Sequence, residues 1–462
     1  MRKKILFVAY LYPPAGGKAL PGVQRTVKFV RNLKENQTYV LTLKPQLYPD
    51  FFSDDNSLSL PIRDEAIAMA GTFDVFNVLL KIKEFITKKS NSSENEANSD
   101  TQNIENLDES DDVHLANKEE SRLKKLYTGF KDFISDIMTY PDYAHGWVLP
   151  AILEGRKVIK RENIDVIFAT GMPWSSLLVG FGLKILTGAK LIVDFRDPWA
   201  TNPFATEKRF IVKVLDRFCE KQIVKRADCI SLNTPELTKE FQTRYKFLPE
   251  NKFQTLMNGY DPVDFKNLQA NNLSVDPEKL VISHIGYLYG LRNPQPVLQA
   301  LKEITGENAQ LLSNIIFKQI GYTDLENDIC SEIASMKLSK NYLDLGPLPY
   351  NEALQHMASS DILLIIQQET TTQIPSKIYE YIYLNKPIVT VGSKTGALAT
   401  LIQDYEFGDI FLDSEVKELA EFFVQQANKK AETGEIVANY TSRELFDIKI
   451  ISNRLSEIVE SL

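Results

Sequence analysis

The chain is 462 residues long, with 44% hydrophobic and 25% charged residues, a balance that implies a water-soluble globular protein of two or three domains. No apolar run is long enough to cross a bilayer as a helix, and three scattered cysteines speak for a reducing compartment and against a disulfide framework or a structural zinc motif. The net charge of −8 is local: residues 91–120 hold ten Asp/Glu and one Lys, a contribution of −9, and the remainder of the chain is +1 (−8 minus −9), so the acidity says nothing about ligands elsewhere.

The start, MRKKILFVAYLYPP, has the charge and apolarity of a secretion signal. Tyr10, Tyr12, Pro13 and Pro14 cut its apolar core short and no small-residue cleavage site follows, so a first strand and a cytoplasmic location are expected. KILFVAY (4–10) leads through a Pro/Gly loop into a helical pattern, VQRTVKFVRNL. NSSENEANSDTQNIENLDESDD lacks large apolar residues and is expected to be a disordered acidic insert at about 90–120. Its flanks, 73–89 and 121–138, place Phe, Leu and Ile at helical spacing beside lysines. That pattern fits either helices packed on the N-terminal sheet or peripheral contact with an anionic membrane surface. IDVIFATG (164–171), a helix near 175–187, KLIVDF (190–195), a helix at about 208–227 and DCISLN (228–233) continue the alternation. β-branched runs separated by helices indicate parallel βα units.

The rhythm pauses after LMNGYDP (256–262), where the polar stretch FKNLQANNLSVDPEK intervenes. It resumes with LVISHIG (280–286), NIIFKQIG (314–321), DILLIIQ (361–367), PIVTVG (387–392) and DIFLD (409–413), and closes on a helical pattern. The expected fold is α/β, two Rossmann-like doubly wound domains facing a cleft: residues 1–265, residues 266–440, and a terminal helix, 441–462. Ligands of open α/β sheets bind outside the carboxyl ends of the strands, so the loops after the strands matter.

In YLYPPAGGKALPGVQR (10–25), Gly16 and Gly17 allow backbone N–H groups to approach an anion, and a helix N-terminus follows. The spacing supports neither a dinucleotide fingerprint nor a P-loop; a plain proline loop is the other reading. In GYLYGLRNPQP (286–296), Gly286 and Gly290 bracket a turn and Arg292 precedes Asn293-Pro294, a place for a guanidinium on a diphosphate or for an ordinary loop arginine. In PSKIYEY (375–381), Ser376 is a candidate cap, Lys377 sits in the first turn, and Glu380 lies three residues on, on roughly the same face. An ammonium for phosphate and a carboxylate for ribose hydroxyls would stand in that order; a solvated Lys–Glu pair is the alternative. DFRDPW (194–199) puts Asp194, Arg196, Asp197 and Trp199 at a strand end, as a site facing the same cleft from the other side or as an Arg–Asp network holding the loop. The four histidines, His114, His145, His284 and His356, are isolated from one another, and no metal site is expected.

Gly16-Gly17, DFRDPW, NGYDP (258–262), GYLYGLR and PSKIYEY, in this order, resemble a GT-B glycosyltransferase, most closely the family 4-like retaining transferases of bacterial surface-polysaccharide pathways. The resemblance covers the chain except about 85–120. It implies a nucleotide-diphosphate sugar held by the C-terminal domain and a glycan or lipid-linked acceptor held by the N-terminal one, with no nucleic acid as partner. The activity implied is that of a hexosyltransferase that needs no metal or other cofactor, placed in the cytoplasm or peripherally on the inner face of the cell membrane. Glu380 matches the second glutamate of the family's E-x(7)-E signature, which holds ribose. Arg292 and Lys377 become the diphosphate ligands, Gly286 part of their loop, and Gly17 a phosphate contact from the other domain. Two departures stand out: Thr372 occupies the position of the first glutamate, with Glu369 out of register, and Tyr287 replaces the basic residue after the glycine. Retention in this family is attributed to front-face attack assisted by the leaving phosphate. Asp194, Asp197 or His145 would then orient the acceptor hydroxyl, with Arg196 and Trp199 on the acceptor side. A catalytically silent domain serving as an assembly partner, and a nucleotide-sugar epimerase or hydrolase, are the competing expectations.

Overall fold

The computed structural model describes residues 2–16, 20–49, 52, 54, 55, 58, 62–73, 136, 139–202, 209–266, 268, 278–290, 292–304, 308–367 and 370–462. The acidic insert, nearly all of its two flanking segments, Gly17 and Glu369 lie outside the described residues.

Among the described residues, β1 (Lys4–Val8), β2 (Gln37–Leu43), β3 (Ile67–Ala70), β4 (Val166–Gly171), β5 (Lys190–Phe195), β6 (Cys229–Leu232) and β7 (Phe253–Thr255) form one sheet in the order β3-β2-β1-β4-β5-β6-β7. Every pairing in it is parallel. A second sheet is built from β8 (Leu280–Ile285), β10 (Ile315–Ile320), β12 (Tyr342–Asp344), β13 (Ile362–Gln367), β14 (Ile388–Gly392) and β15 (Asp409–Phe411), in the order β12-β10-β8-β13-β14-β15. It too is parallel. The short strands β9 (Leu288–Tyr289) and β11 (Thr323–Asp324) pair beside it. These are two Rossmann-like domains facing a cleft, as the alternating pattern implies.

The central strands are covered on both faces, which is why β8 and β13 are buried at every position and read as continuous apolar runs. Chain direction across each sheet reverses between β1 and β4 and between β8 and β13. The crevice at such a switch point is bordered by the loops that leave those strands. The described parts of the loops that leave β1, β4, β8 and β13 therefore border these crevices, and Gln373, after β13, reaches across to Asp197 of the first domain at 2.7 Å.

The closing helix Ile448–Ser461 returns to the first domain. Ser456 Oγ donates to Asn36 Oδ1 at 2.8 Å, and the Tyr260 and Ile448 segments exchange backbone hydrogen bonds at 3.0 and 2.9 Å.

Candidate functional site

The helix Lys377–Leu384 carries the motif PSKIYEY. Ile378, Tyr379, Tyr381 and Ile382 bury its apolar side, and Asn385 ends it in the left-handed region at φ 54°. Ser376 is already in helical conformation and its side chain makes no cap, so the expected capping role is corrected: the first amides of this helix have no side-chain acceptor from Ser376.

Glu380 is not the solvated partner of Lys377. It is fully buried, and its Oε1 is 3.2 Å from Lys28 Nζ and 3.2 Å from the Tyr350 hydroxyl. Its Oε2 is buried without a protein partner. Lys28 comes from the first helix, Leu20–Asn32, of the other domain, and also donates to the Gly259 carbonyl at 3.1 Å. Asp264 lies 3.8 Å from Lys28 and 2.7 Å from Arg31, which also meets Asp261 at 2.8 Å. Burial alone would neutralise Glu380, but Lys28 and Lys377 outweigh it and hold the carboxyl below its usual range. Lys28 is pushed the opposite way: burial disfavours its charge, yet Glu380 and Asp264 raise its pKa.

Lys377 is not compensated to the same extent. Lys377 is an ammonium 5.0 Å from the Tyr350 ring centroid, and burial, aided by the charge of Lys28, lowers its pKa despite Glu380. Arg292 lies over the Tyr289 ring at 5.2 Å, and its Nε is buried without a partner. Its loop abuts His284 in β8, buried and held neutral, with a pKa lowered to about 4 chiefly by burial. Gln319 donates to the Gly286 carbonyl at 3.0 Å, so its Oε1 faces His284 Nδ1 at 2.7 Å. The imidazole proton therefore sits on Nδ1 and Nε2 is left as an acceptor. A Cβ on Gly286 would meet the His284 ring at 3.2 Å, tighter than an ordinary contact.

On the first domain, DFRDPW divides into residues that hold the loop and one that faces the cleft. Asp194 is wholly buried; Arg25 donates to both its oxygens, at 2.7 and 3.0 Å, and Ser231 and Thr170 supply further hydrogen bonds. Every acceptor direction is used, so its expected role as an acceptor-orienting base is corrected. It is the anchor of Arg25, which in turn grips Asn258 and the Leu256 carbonyl. Trp199 is likewise structural, stacked on Trp174 with centroids 5.2 Å apart and donating to Asp216 at 2.9 Å. Arg196 donates to the Gly171 carbonyl at 2.5 Å and to that of Met172, so its guanidinium braces the loop after β4. Asp197 is half-buried and accepts from Gln373 of the other domain at 2.7 Å. Burial raises its pKa, and the Arg196 and Arg292 charges oppose that rise. It shares the cleft with Arg292.

Thr372 gives no side-chain contact of note; its carbonyl accepts from Thr234 of the first domain at 2.7 Å. Gly16 is buried beside the cleft loop. His145 is engaged with the Asp142 carbonyl at 3.1 Å. Among the described residues no group of three or more His, Cys, Asp and Glu side chains is arranged to hold a metal ion, and no helix is long and apolar enough to cross a membrane.

No family model matches the chain, and no curated protein matches its sequence. Solved structures do match over the whole length. HepE of Anabaena in complex with UDP-glucose aligns with TM-score 0.57 at 14% identity, covering 99% of this chain and 100% of that one. Sucrose-phosphate synthase from Thermosynechococcus elongatus aligns with TM-score 0.55 at 10% identity, over 100% and 99% of the two chains. The lipopolysaccharide outer core galactosyltransferase WaaB aligns with TM-score 0.52 at 9% identity, over the full length of both. The chain has a GT-B-like fold. At these identities the likeness is one of fold. In a GT-B frame, Lys28, Tyr350, Asp264 and His284 are the cleft residues that sequence reading passed over. His284, a histidine inside an apolar strand, is the one that carried a visible signal.

Proposed function

We propose that the protein is a retaining glycosyltransferase of the hexosyltransferase type, moving a sugar from a nucleotide-diphosphate sugar to a glycan or lipid-linked acceptor in surface-polysaccharide biosynthesis. The observation that carries this reading is a buried carboxylate oxygen without a partner, Glu380 Oε2, together with two cations, Lys377, whose charge burial disfavours, and Arg292, whose buried Nε has no partner. Ribose hydroxyls would donate to Glu380. The diphosphate would lie against Lys377, Arg292 and the positive N-terminal end of the helix Lys377–Leu384.

Cleavage of the anomeric C–O bond places negative charge on the leaving diphosphate and positive charge on the sugar ring. Cations and amides already in place stabilise the former without reorganisation, and no metal is needed in this scheme. The leaving phosphate takes the acceptor proton as attack occurs on the same face, which gives retention without a side-chain nucleophile. Asp197, the cleft-facing carboxylate of DFRDPW, orients the acceptor hydroxyl.

HepE is seen with UDP-glucose, which makes that compound the first member of a binding panel. Calorimetry across a panel of nucleotide sugars tests the reading. Selective binding of one nucleotide sugar is expected; no selective binding by any of them would leave a silent domain that acts as an assembly partner.

A further inference from the structure

We propose that the tyrosine-faced flap formed by β9 and β11 binds carbohydrate. The two strands prolong β8 and β10 beyond the carboxyl edge of the second sheet, through Gly286-Tyr287 and Gly321-Tyr322. They pair in parallel, Leu288 with Thr323 and Tyr289 with Asp324. Gly321 lets the two chains approach: its φ is 137°, and a Cβ there would collide with the Gly286 carbonyl. Side chains alternate along an extended strand. Leu288, wholly buried, belongs to the core of the second domain, so Tyr287 and Tyr289 share the opposite face. Tyr322 and Asp324 alternate about Thr323 in the same way and join them. The Tyr287 ring centroid lies 4.7 Å from that of Tyr289 and 6.0 Å from that of Tyr322, and its hydroxyl donates to Asp324 at 2.7 Å. The three rings are part-exposed and Asp324 is exposed. Arg292, 5.2 Å from the Tyr289 centroid, stands where this platform meets the cleft.

Aromatic rings that end in hydroxyls offer a ligand apolar faces and hydrogen-bonding edges at once. A pyranose matches both: its axial C–H groups form an apolar face and its hydroxyls lie round the rim. The neighbouring charge selects against other ligands. Asp324, Glu326 and Asp328 are exposed in and just beyond β11, and they repel a phosphodiester chain or a layer of anionic headgroups. An apolar protein surface would bury the Asp324 carboxylate and the tyrosine hydroxyls with nothing to replace water. Neutral carbohydrate satisfies all of them, since its hydroxyls can donate to the carboxylate in charge-assisted hydrogen bonds. Two successive ring-to-ring steps, from Tyr322 to Tyr287 and on to Tyr289, suit a chain of sugars better than a single one. On the proposed function this chain is the acceptor glycan, laid on the second domain, whereas the resemblance puts the acceptor on the first. That assignment rests on the reading of the cleft; the affinity for carbohydrate does not, and it is measured without nucleotide.

The full chain, with no nucleotide added, is titrated with maltohexaose, cellohexaose and chitohexaose, and with hexagalacturonic acid as a charged counterpart. Saturation transferred from the protein's aromatic protons to the sugar is read by NMR. At least one neutral oligosaccharide should receive saturation on its ring C–H protons and bind more tightly than hexagalacturonic acid. Tyr287→Ala/Tyr322→Ala should bind it about tenfold more weakly, while Tyr287→Phe/Tyr322→Phe, which keeps both rings, should stay within about threefold of the parent. Both variants should melt as the parent does; Tyr322→Ala alone decides the matter if the double alanine variant melts early. The proposal is overturned if no neutral oligosaccharide receives saturation, if hexagalacturonic acid binds as tightly as they do, if natively melting alanine variants bind as the parent does, or if the phenylalanine variant loses as much as the alanine one. Selective binding of a nucleotide sugar without binding of these glycans would remove the platform and leave the reading of the cleft intact. Glycan binding without any nucleotide-sugar binding would remove the reading of the cleft and leave the platform.

Discussion

Lys28 and Glu380 stand 352 residues apart in the chain and 3.2 Å apart in space, and their hydrogen bond joins the two domains across the cleft. Lys28 is 7% and Glu380 1% exposed at the side chain. The carboxylate proposed to hold a ribose is thus also a strut between the domains, with one oxygen bound to Lys28 and the other without a protein partner. On the proposed reading, closure of the cleft and occupation of the nucleotide site would be tied to the same group.

Removing Glu380 tests the ribose role. Glu380→Ala is expected to weaken nucleotide binding by about 1.5–3 kcal/mol, the range for hydrogen bonds to a charged group. Arg292→Ala should weaken a nucleoside diphosphate far more than the bare nucleoside. Calorimetry with both ligands separates the two; equal losses for Arg292→Ala would remove the phosphate role.

Breaking the strut on one side leaves a buried charge without its partner. Lys28→Met should destabilise the protein by roughly 3–5 kcal/mol, seen as a lower denaturant midpoint. Lys28→Met/Glu380→Met should recover much of that loss, because both charges are then gone. A double variant as unstable as the sum of its singles would mean that the two residues act independently.

The pH dependence follows from the signs of the shifts. Glu380 and Asp194 are both held below their usual ranges: burial opposes the charge, and Lys28 and Arg25, respectively, overcome it. Their contributions are complete above the unfolded values of about 4.3 and 3.9 and are lost as pH falls through the lower folded values. Lys28, shifted up, contributes below about 10.4 and loses its contribution as pH rises through its higher folded value. Melting temperature should be flat through neutrality and fall in acid. Glu380→Gln should flatten part of the acid limb; an unchanged limb in that variant would exclude Glu380 as one of its causes.

The two aspartates of DFRDPW should behave differently. Asp194→Asn leaves Arg25 buried without its counter-charge, and a stability loss of about 3 kcal/mol or more is expected. Asp197→Asn should alter stability by about 1 kcal/mol or less, while lowering sugar transfer with donor affinity preserved. Thermal melts and transfer assays on both proteins decide it; full transfer by Asp197→Asn would remove it from the acceptor site.

The two-sheet plan was legible because buried parallel strands need apolar residues on both faces, and runs such as LVISHI and ILLIIQ show this directly. β3, with the sequence IAMA, and the three-residue strands β7 and β12 lack that density of β-branched residues, and no pattern marked them. Lys377 and Glu380 were visible as a pair because one helical turn sets their relation. By the sequence alone, the anion-friendly loops also fall at strand ends, and the order of those strands is a property of the chain. Tertiary structure decided which charges meet. Lys28 reaches Glu380 only when the two domains close on each other, and Tyr350, 30 residues before it in the same domain, meets it through the folding of that domain. Asp194 became an internal anchor because Arg25, 169 residues away, folds onto it. An ion pair of that kind is set by approach in space, and nothing in local spacing encodes it: burial makes each charge costly, and only the partner supplied by the other domain or another strand makes it stable.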